Sequence, residues 1–157
     1  MTTIRNHYVI NENTMALLPA AHMDYDTIAI ERDQERFVRE TPQQIISRSC
    51  LQNGSTYEGR RAAIMHHFGF KRKIPIPINP RNRLFTFPTN APTDFACNWI
   101  FYRHVQAILP PSASSNGKTS LLFHNGQQLP VDVSRYVLEK QLERAGMCAG
   151  MFGGERA

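Results

Sequence analysis

The sequence predicts an α+β domain in which antiparallel strands and hairpins accompany two central helices and a C-terminal helix. Three observations support this fold class. Short apolar runs separated by polar turns recur along the chain, two helix-capping patterns follow one another near its middle, and an Asn-Gly dipeptide separates two apolar runs near its end. A chain of 157 residues is long enough to bury a core without disulfides or a metal ion.

The first third of the chain predicts two hairpins. His7–Ile10 and Met15–Leu18 flank one polar turn, and Thr27–Glu31 and Glu35–Arg39 flank a second. We therefore expect four strands before the first helix.

The first central helix has a clear start signal. Thr41 suits the N-cap, Pro42 suits the first helical position, and Gln44 completes a capping box. The helix is expected to continue through Cys50 and to stop near Asn53, which Gly54 follows.

The second central helix is predicted to follow after a short turn. Ser55 is the expected N-cap, with Glu58 three residues later, and Gly69 marks the expected end.

The segment Lys71–Pro80 alternates isoleucine with proline, which cannot donate to a central ladder. It predicts an extended edge or arm rather than an inner strand. A short strand is expected at Leu84–Phe87 and one continuous strand at Asn98–Ile108, before a flexible link at Pro110–Lys118.

The last third predicts a hairpin and a helix. Ser120–Phe123 and Gln128–Val131 meet across Asn125-Gly126, a strong hairpin signal. Ser134 is the expected cap of a helix that reaches Ala145.

Composition and boundaries limit the classes of protein. We expect one domain over residues 1–145 and a flexible Gly/Met tail over residues 146–157. No apolar run reaches the ~18–20 residues of a membrane span, and the N-terminus lacks the apolar region of a secretory signal. Three distant cysteines do not make a disulfide framework, so a reducing cytoplasmic setting is expected.

The positive charge is concentrated in one segment. Residues 48–83 hold eight basic side chains against one acidic side chain, whereas the whole chain has a net charge of +5. Such a cluster is typical of proteins that bind a polyanion, because each neutralised phosphate releases counterions. A solvated basic face that binds nothing is the alternative. The glycine-containing corner at 53–61 suits either a phosphate or a plain helix–helix turn.

Metal and nucleophile chemistry is not expected. His66 and His67 are adjacent on a helix and point about 100° apart, and no metal-binding spacing supports them. Cys50 and Cys97 could each be a nucleophile beside a histidine, but Cys50 falls on the helix face shared with Ile46, which suits a small buried residue. We therefore predict no metal, no cofactor and no catalytic residue.

The aromatic residues leave a second class of partner open. Phe85, Phe87, Trp99, Phe101 and Tyr102 are of the kind that stack on unpaired bases in RNA-binding sheets. Period two places Trp99 and Phe101 on one face, with Ile100 and Tyr102 on the other, and one face at least must be core.

Several blocks together carry a resemblance to a known family. They are Ile45–Cys50, Asn53–Ala62, Pro75–Pro80, Leu84–Thr89, Cys97–Ile100 and Phe123–Gly126. In order and spacing, from about Thr14 to Ala145, this set resembles the competence transcription factor ComK family.

The resemblance implies a bacterial transcription activator of competence genes, which encode DNA uptake for transformation. It implies double-stranded AT-rich promoter DNA as the partner, with AT-boxes read mainly through the minor groove. It also implies dimers that pair to tetramers on DNA, a cytoplasmic, nucleoid-associated location, and no enzymatic activity.

The candidate DNA-binding residues combine positions of the family motif with the basic segment, and the contacts themselves are inferred from charge. They are Arg48, Ser55, Tyr57, Arg60, Arg61, Lys71, Arg72, Lys73, Arg81 and Arg83.

The sequence departs from the family at its C-terminus. Family members extend past the last helix with a tail that an adaptor recognises for delivery to a protease, whereas this sequence stops at Ala157. Adaptor-controlled degradation is therefore not expected. A shortened paralogue that modulates a full-length relative, and an RNA-binding module, are the alternative functions.

Overall fold

A computed structural model describes residues 3–153 of the chain and confirms the α+β class. A seven-stranded sheet has the order β1-β4-β3-β2-β7-β6-β5, and a three-stranded sheet has the order β10-β9-β8. All strand pairs are antiparallel except β1 with β4. The strands are β1 (Ile4–Arg5), β2 (Thr14–Pro19), β3 (Thr27–Glu31), β4 (Glu35–Val38), β5 (Ile76–Asn79), β6 (Leu84–Pro88), β7 (Trp99–Phe101), β8 (Val105–Leu109), β9 (Thr119–Phe123) and β10 (Gln128–Val131). The helices are α1 (Pro42–Gln52), α2 (Tyr57–Phe68) and α3 (Arg135–Phe152).

The large sheet is covered on both faces. On one face Trp99 and Phe101 share a core with the buried residues of α1 and α2. On the other face Phe87 and Ile100 pack with the small sheet and the first half of α3. The side-chain alternation predicted for residues 99–101 is confirmed, and both faces are core.

The N-terminal segment differs from its prediction. The predicted hairpin of His7–Ile10 with β2 is wrong: the first strand is β1, which pairs with β4 instead. The reason is that polar side chains take the backbone groups of Tyr8 that a ladder would use. Its N–H donates to Glu40, and its carbonyl accepts from Arg48. The second predicted hairpin, β3–β4, is confirmed.

The central helices follow their capping signals. Thr41 caps α1, and the capping box with Gln44 is complete. The cap of α2 is Thr56, whose hydroxyl accepts from the N–H of Gly59, and the prediction of Ser55 is wrong by one residue. Ser55 instead satisfies a carbonyl at the end of α1, because its N–H donates to the carbonyl of Cys50.

The proline-containing segment is an edge strand, as predicted, but it is not a free arm. β5 pairs only with β6, and the bulge beside Pro77 accommodates a residue without an N–H. All of residues 74–78 are buried, because α1, α2 and α3 pack against the strand. An arm that leaves the domain is therefore wrong for this segment.

The predicted continuous strand at Asn98–Ile108 is divided. A turn of 3-10 helix over Tyr102–His104 moves the chain from β7 in the large sheet to β8 in the small one. The buried imidazole of His104 fixes this crossing, since Nε2 lies 2.7 Å from the carbonyl oxygen of Glu12. The hairpin β9–β10 is confirmed, with Gly126 at φ +93° in its turn.

The C-terminal helix is longer than predicted. Its cap at Ser134 is confirmed, but the flexible tail from Gly146 is wrong as far as residue 152, where α3 continues. Cys148 is buried in the core and explains the extension. Gly146 allows close packing, since a Cβ there would lie 3.0 Å from the hydroxyl of Tyr102. The rest of the predicted tail, residues 154–157, lies outside the described residues.

Candidate nucleic-acid interface

A groove of about 970 Å³ runs between α1, the start of α2 and the loop that precedes β5. Four of the predicted basic side chains line it against a single carboxylate, that of Glu58. The four are Arg61, Lys71, Arg72 and Lys73. The remainder of its wall combines apolar side chains, among them Leu51 and Ile74, with uncharged polar ones. We call this the basic groove.

The corner between α1 and α2 brings the two helices to the groove. Gly54 has φ +90°, a conformation that glycine adopts without a steric cost, and only four residues separate the end of α1 from the start of α2. Tyr57 then lies half-buried at the first position of α2, with its ring edge-on to that of Trp99. Burial in this place raises the pKa of Tyr57.

Side chains of α3 hold the backbone of the loop at residues 70–73. The buried Gln141 donates to the carbonyl of Lys73 at 2.9 Å, and Arg144 donates to the carbonyl of Arg72 at 3.1 Å. The guanidinium of Arg144 also lies over the ring of Phe70 at 4.6 Å. The loop is therefore anchored by its main chain, while the side chains of Lys71 and Arg72 remain exposed.

The acidic residue at the groove does little to neutralise it. Arg61 Nη1 lies 3.6 Å from Glu58 Oε1, and the Glu58 side chain is 77% exposed. Exposed pairs of this kind contribute about 0–1 kcal/mol, so the cation stays available to another partner.

A second cleft of about 460 Å³ lies on the other side of the helix corner, and we call it the arginine cleft. Its walls are formed by Asn53, Arg60, Asn79, Pro80 and Arg81, without a carboxylate among these residues. Arg60 donates from Nη2 to the carbonyl of Asn53 at 2.9 Å, and its buried Nε has no acceptor within residues 3–153. The structure thus separates the neighbours Arg60 and Arg61 into two clefts.

Two further predicted arginines, which line neither of these clefts, also have partners inside the protein. Arg48 forms a two-pronged ion pair with Glu40, at 2.9 Å from Nε and 2.6 Å from Nη2. Arg83 donates from Nη1 to the carbonyl of Gly153, one of the carbonyls at the end of α3. Ser55 lies at the helix corner, where its hydroxyl makes a long hydrogen bond, 3.4 Å, to the carbonyl of Thr56.

The aromatic side chains do not form a stacking surface. Phe85, Phe87, Trp99 and Phe101 are each no more than 1% exposed. An RNA-binding module that stacks bases on these rings is therefore wrong. Tyr102, the fifth predicted residue, packs against the core from the 3-10 turn.

Sequence reasoning missed the residues that support the basic groove. Gln141 and Arg144 are three positions apart on α3, but no local pattern shows that they reach a loop about 70 residues earlier. A glutamine on an otherwise apolar helix face was the one signal present in the sequence.

Neither a membrane helix nor a metal cluster is found in the described part of the chain. Within residues 3–153 no helix has the length and apolarity to cross a membrane. In the same range, three or more His, Cys, Asp or Glu side chains do not gather where they would hold a metal ion.

Comparison with known proteins gives a family and one curated relative. Residues 5–154 match the family model described as ComK protein. The chain is 34% identical over 147 residues to a protein named competence transcription factor from Bacillus subtilis (strain 168). The match covers 92% of this chain and 74% of that protein. None of the solved structures compared with the chain matches it.

Proposed function

The chain belongs to the ComK family, and from that premise we propose that it is a DNA-binding transcription factor that activates competence genes. The basic groove carries this proposal. Four cations line it against one weakly paired carboxylate, and α3 anchors the loop from which three of them project. A fixed row of cations releases condensed counterions when it meets a phosphate backbone.

The proposed target is an AT-box, a run of A's opposite a run of T's, read mainly through the minor groove. Such tracts have a narrow minor groove whose negative potential attracts arginine. The buried edge strand β5 cannot enter that groove, whereas the turn between β5 and β6, which carries the exposed Arg81, is free to approach it. We therefore expect the residues at the two ends of β5, rather than an extended arm, to contact the DNA.

The contact residues are reduced to the cations that line the basic groove or the arginine cleft. These are Arg60, Arg61, Lys71, Arg72, Lys73 and Arg81, with Ser55 and Tyr57 shaping the corner between the two clefts. Arg48 and Arg83 are left out because each donates to an oxygen within the protein and neither lines one of these two clefts. Arg60 also donates to a carbonyl, that of Asn53, but it is kept because it lines the arginine cleft.

Paired dimers on one promoter complete the proposal. A dimer that repeats the basic groove would bind two AT-boxes at a fixed spacing along the helix. Changing the spacing by half a helical turn should abolish cooperative binding to the two boxes. Equal cooperativity at every spacing would contradict a fixed dimer.

The test of DNA binding is the fluorescence anisotropy of a labelled AT-box duplex at several salt concentrations. A G·C-rich duplex of equal length and a minor-groove drug serve as competitors. We expect the drug to displace the protein and the G·C-rich duplex to compete poorly. Equal binding of both duplexes without displacement by the drug would reduce the activity to general polyanion binding.

The triple substitution Lys71→Ala, Arg72→Ala and Lys73→Ala tests the basic groove. It should weaken binding to all duplexes and flatten the salt slope by ~0.9 for each phosphate that is no longer neutralised. The matched control removes the same charge elsewhere by Lys118→Ala, Arg135→Ala and Lys140→Ala, and should keep the slope. Equal slopes for both triple variants would show that the basic groove does not face DNA.

A further inference from the structure

A cleft lined mainly by amide side chains adjoins the arginine cleft and has no role in the function proposed above. Its volume is about 510 Å³, and it shares Asn53 and Asn79 with the arginine cleft. It lies between the N-terminal loop, the end of α1 and the turn between β5 and β6. The remaining amide residues that line it are Asn11, Asn13, Gln52 and Asn82.

Hydrogen bonds between amides fix the framework of this cleft. Asn79 donates from Nδ2 to Asn53 Oδ1 at 2.9 Å, and Asn53 donates from Nδ2 to the carbonyl of Ser49 at 2.8 Å. Asn79 Oδ1 in turn accepts from the N–H of Asn82 at 3.3 Å. The end of α1 is thereby tied to the β5–β6 turn, and Asn53 and Asn79 belong to the walls of both clefts.

Three amide side chains are left over once this framework is made. Asn13, Gln52 and Asn82 are exposed, and their side chains make no hydrogen bond within residues 3–153. Each offers an NH₂ donor pair and a carbonyl acceptor to a partner outside the protein.

The charges of the two clefts suit different parts of a nucleotide. The arginine cleft has two guanidinium groups and no carboxylate among the residues that form its walls, which suits a phosphate. The amide-lined cleft has the carboxylate of Glu12 on its wall, which disfavours a phosphate there. Uncharged amides instead suit base edges, because adenine N3 and thymine O2 in the minor groove are acceptors for NH₂ donors.

We infer that the amide-lined cleft reads base edges of AT-rich DNA, while Arg60 and Arg81 hold the adjoining backbone phosphate. This assignment rests on the proposed DNA-binding function and adds to it a division of roles. Phosphate contacts position a protein without carrying sequence information, whereas base-edge contacts specify the sequence. Sequence preference therefore resides in the amides, and general affinity resides in the basic groove.

The test compares a labelled AT-box duplex with a G·C-rich duplex of equal length, for the full chain and its variants. The double variant Gln52→Ala and Asn82→Ala should lower AT-box affinity about fivefold or more, and leave G·C affinity and the salt slope unchanged. Arg81→Ala should weaken both duplexes and lower the slope by ~0.9. The matched control is Gln106→Ala with Gln128→Ala, two exposed glutamines elsewhere, which should keep the preference.

The outcomes separate this inference from the proposed function. If the wild-type chain shows no preference for the AT-box duplex, the proposed function fails. If the wild-type chain prefers that duplex and the Gln52→Ala, Asn82→Ala variant keeps the same preference, the assignment of base reading to the amides is overturned. An unchanged urea midpoint, followed by the fluorescence of the buried Trp99, verifies that the variants are folded.

Discussion

The Arg48 side chain has two competing explanations, DNA contact and structural support, and replacement by alanine distinguishes them. In the structure it joins Glu40 at the start of α1 to the carbonyl of Tyr8 in the N-terminal loop. We expect Arg48→Ala to destabilise the fold and to leave the salt slope of DNA binding unchanged.

The magnitude follows from the exposure of the pair. Arg48 and Glu40 are 27% and 12% exposed, between a surface pair worth about 0–1 kcal/mol and a buried pair whose disruption costs about 3–5 kcal/mol. All three hydrogen bonds are charge-assisted, because the guanidinium donates each of them, and removal of the one to Tyr8 leaves a main-chain carbonyl without its donor. The free energy of unfolding should therefore fall by about 2–3 kcal/mol.

Urea unfolding followed by Trp99 fluorescence measures this loss, with Arg135→Ala as the matched control. Arg135 pairs with Glu139 at 3.0 Å, but both side chains are about half exposed. Its removal should cost less than about 0.5 kcal/mol. Equal losses in the two variants, or a salt slope for Arg48→Ala that falls by ~0.9, would refute the structural role of Arg48.

The same ion pair predicts a pH dependence of stability. Burial acts to raise the pKa of Glu40, but hydrogen bonds from Arg48, His7 and the Tyr8 N–H outweigh it and hold this pKa below the ordinary value of 4.5. A lowered carboxyl pKa contributes stability that is present above pH 4.5 and is lost as the pH falls through the folded-state pKa. Glu40→Gln should remove this part of the acid dependence, and an unchanged pH profile would contradict it.

Three further predictions concern the helix supports and the thiols. Gln141→Leu removes the donor from the buried carbonyl of Pro88 and from the partly buried carbonyl of Lys73, so it should cost about 2–4 kcal/mol in urea unfolding and weaken DNA binding. Unchanged values would show that the loop does not depend on Gln141. Gly153→Ala places a Cβ against the main-chain carbonyl of Ala149 and the guanidinium of Arg83, so amide hydrogen exchange should accelerate in the last turn of α3; unchanged protection would argue against that packing. Burial raises the pKa of Cys50 and of Cys97 to about 11, so both thiols should react with a disulfide reagent at pH 8 far more slowly than in urea, and equal rates would contradict their burial.

Local signals predicted the elements that depend on neighbouring residues. The capping box at Thr41 and the Asn-Gly turn at residues 125–126 satisfy their own backbone groups, so tertiary contacts had little to change. The N-terminal hairpin was mispredicted because Arg48 takes the carbonyl of Tyr8 from 40 residues away. No window of sequence contains that competition.

The positive charge of the candidate site was predictable from the sequence, but the residues that line its clefts were not. The run of cations from residue 48 to residue 83 was visible, and four of them do line one groove. The sequence did not show which of these cations have partners inside the protein, because the partners, Glu40 and the Gly153 carbonyl, lie outside that run. Nor does any local pattern indicate that Gln52 and Asn82, 30 residues apart, line the same cleft.

Because the loop before β5 is anchored by its main chain, its side chains can be substituted to change the affinity for polyanions. Gln141 and Arg144 donate hydrogen bonds to main-chain carbonyl oxygens. The anchorage therefore does not depend on which side chains residues 71 and 72 carry. Position 73 has a steric restriction, since its φ of +51° suits glycine or asparagine and opposes β-branched residues. A combinatorial library at positions 71 and 72 would therefore vary affinity for polyanions within one scaffold, with folding and affinity as nearly independent properties.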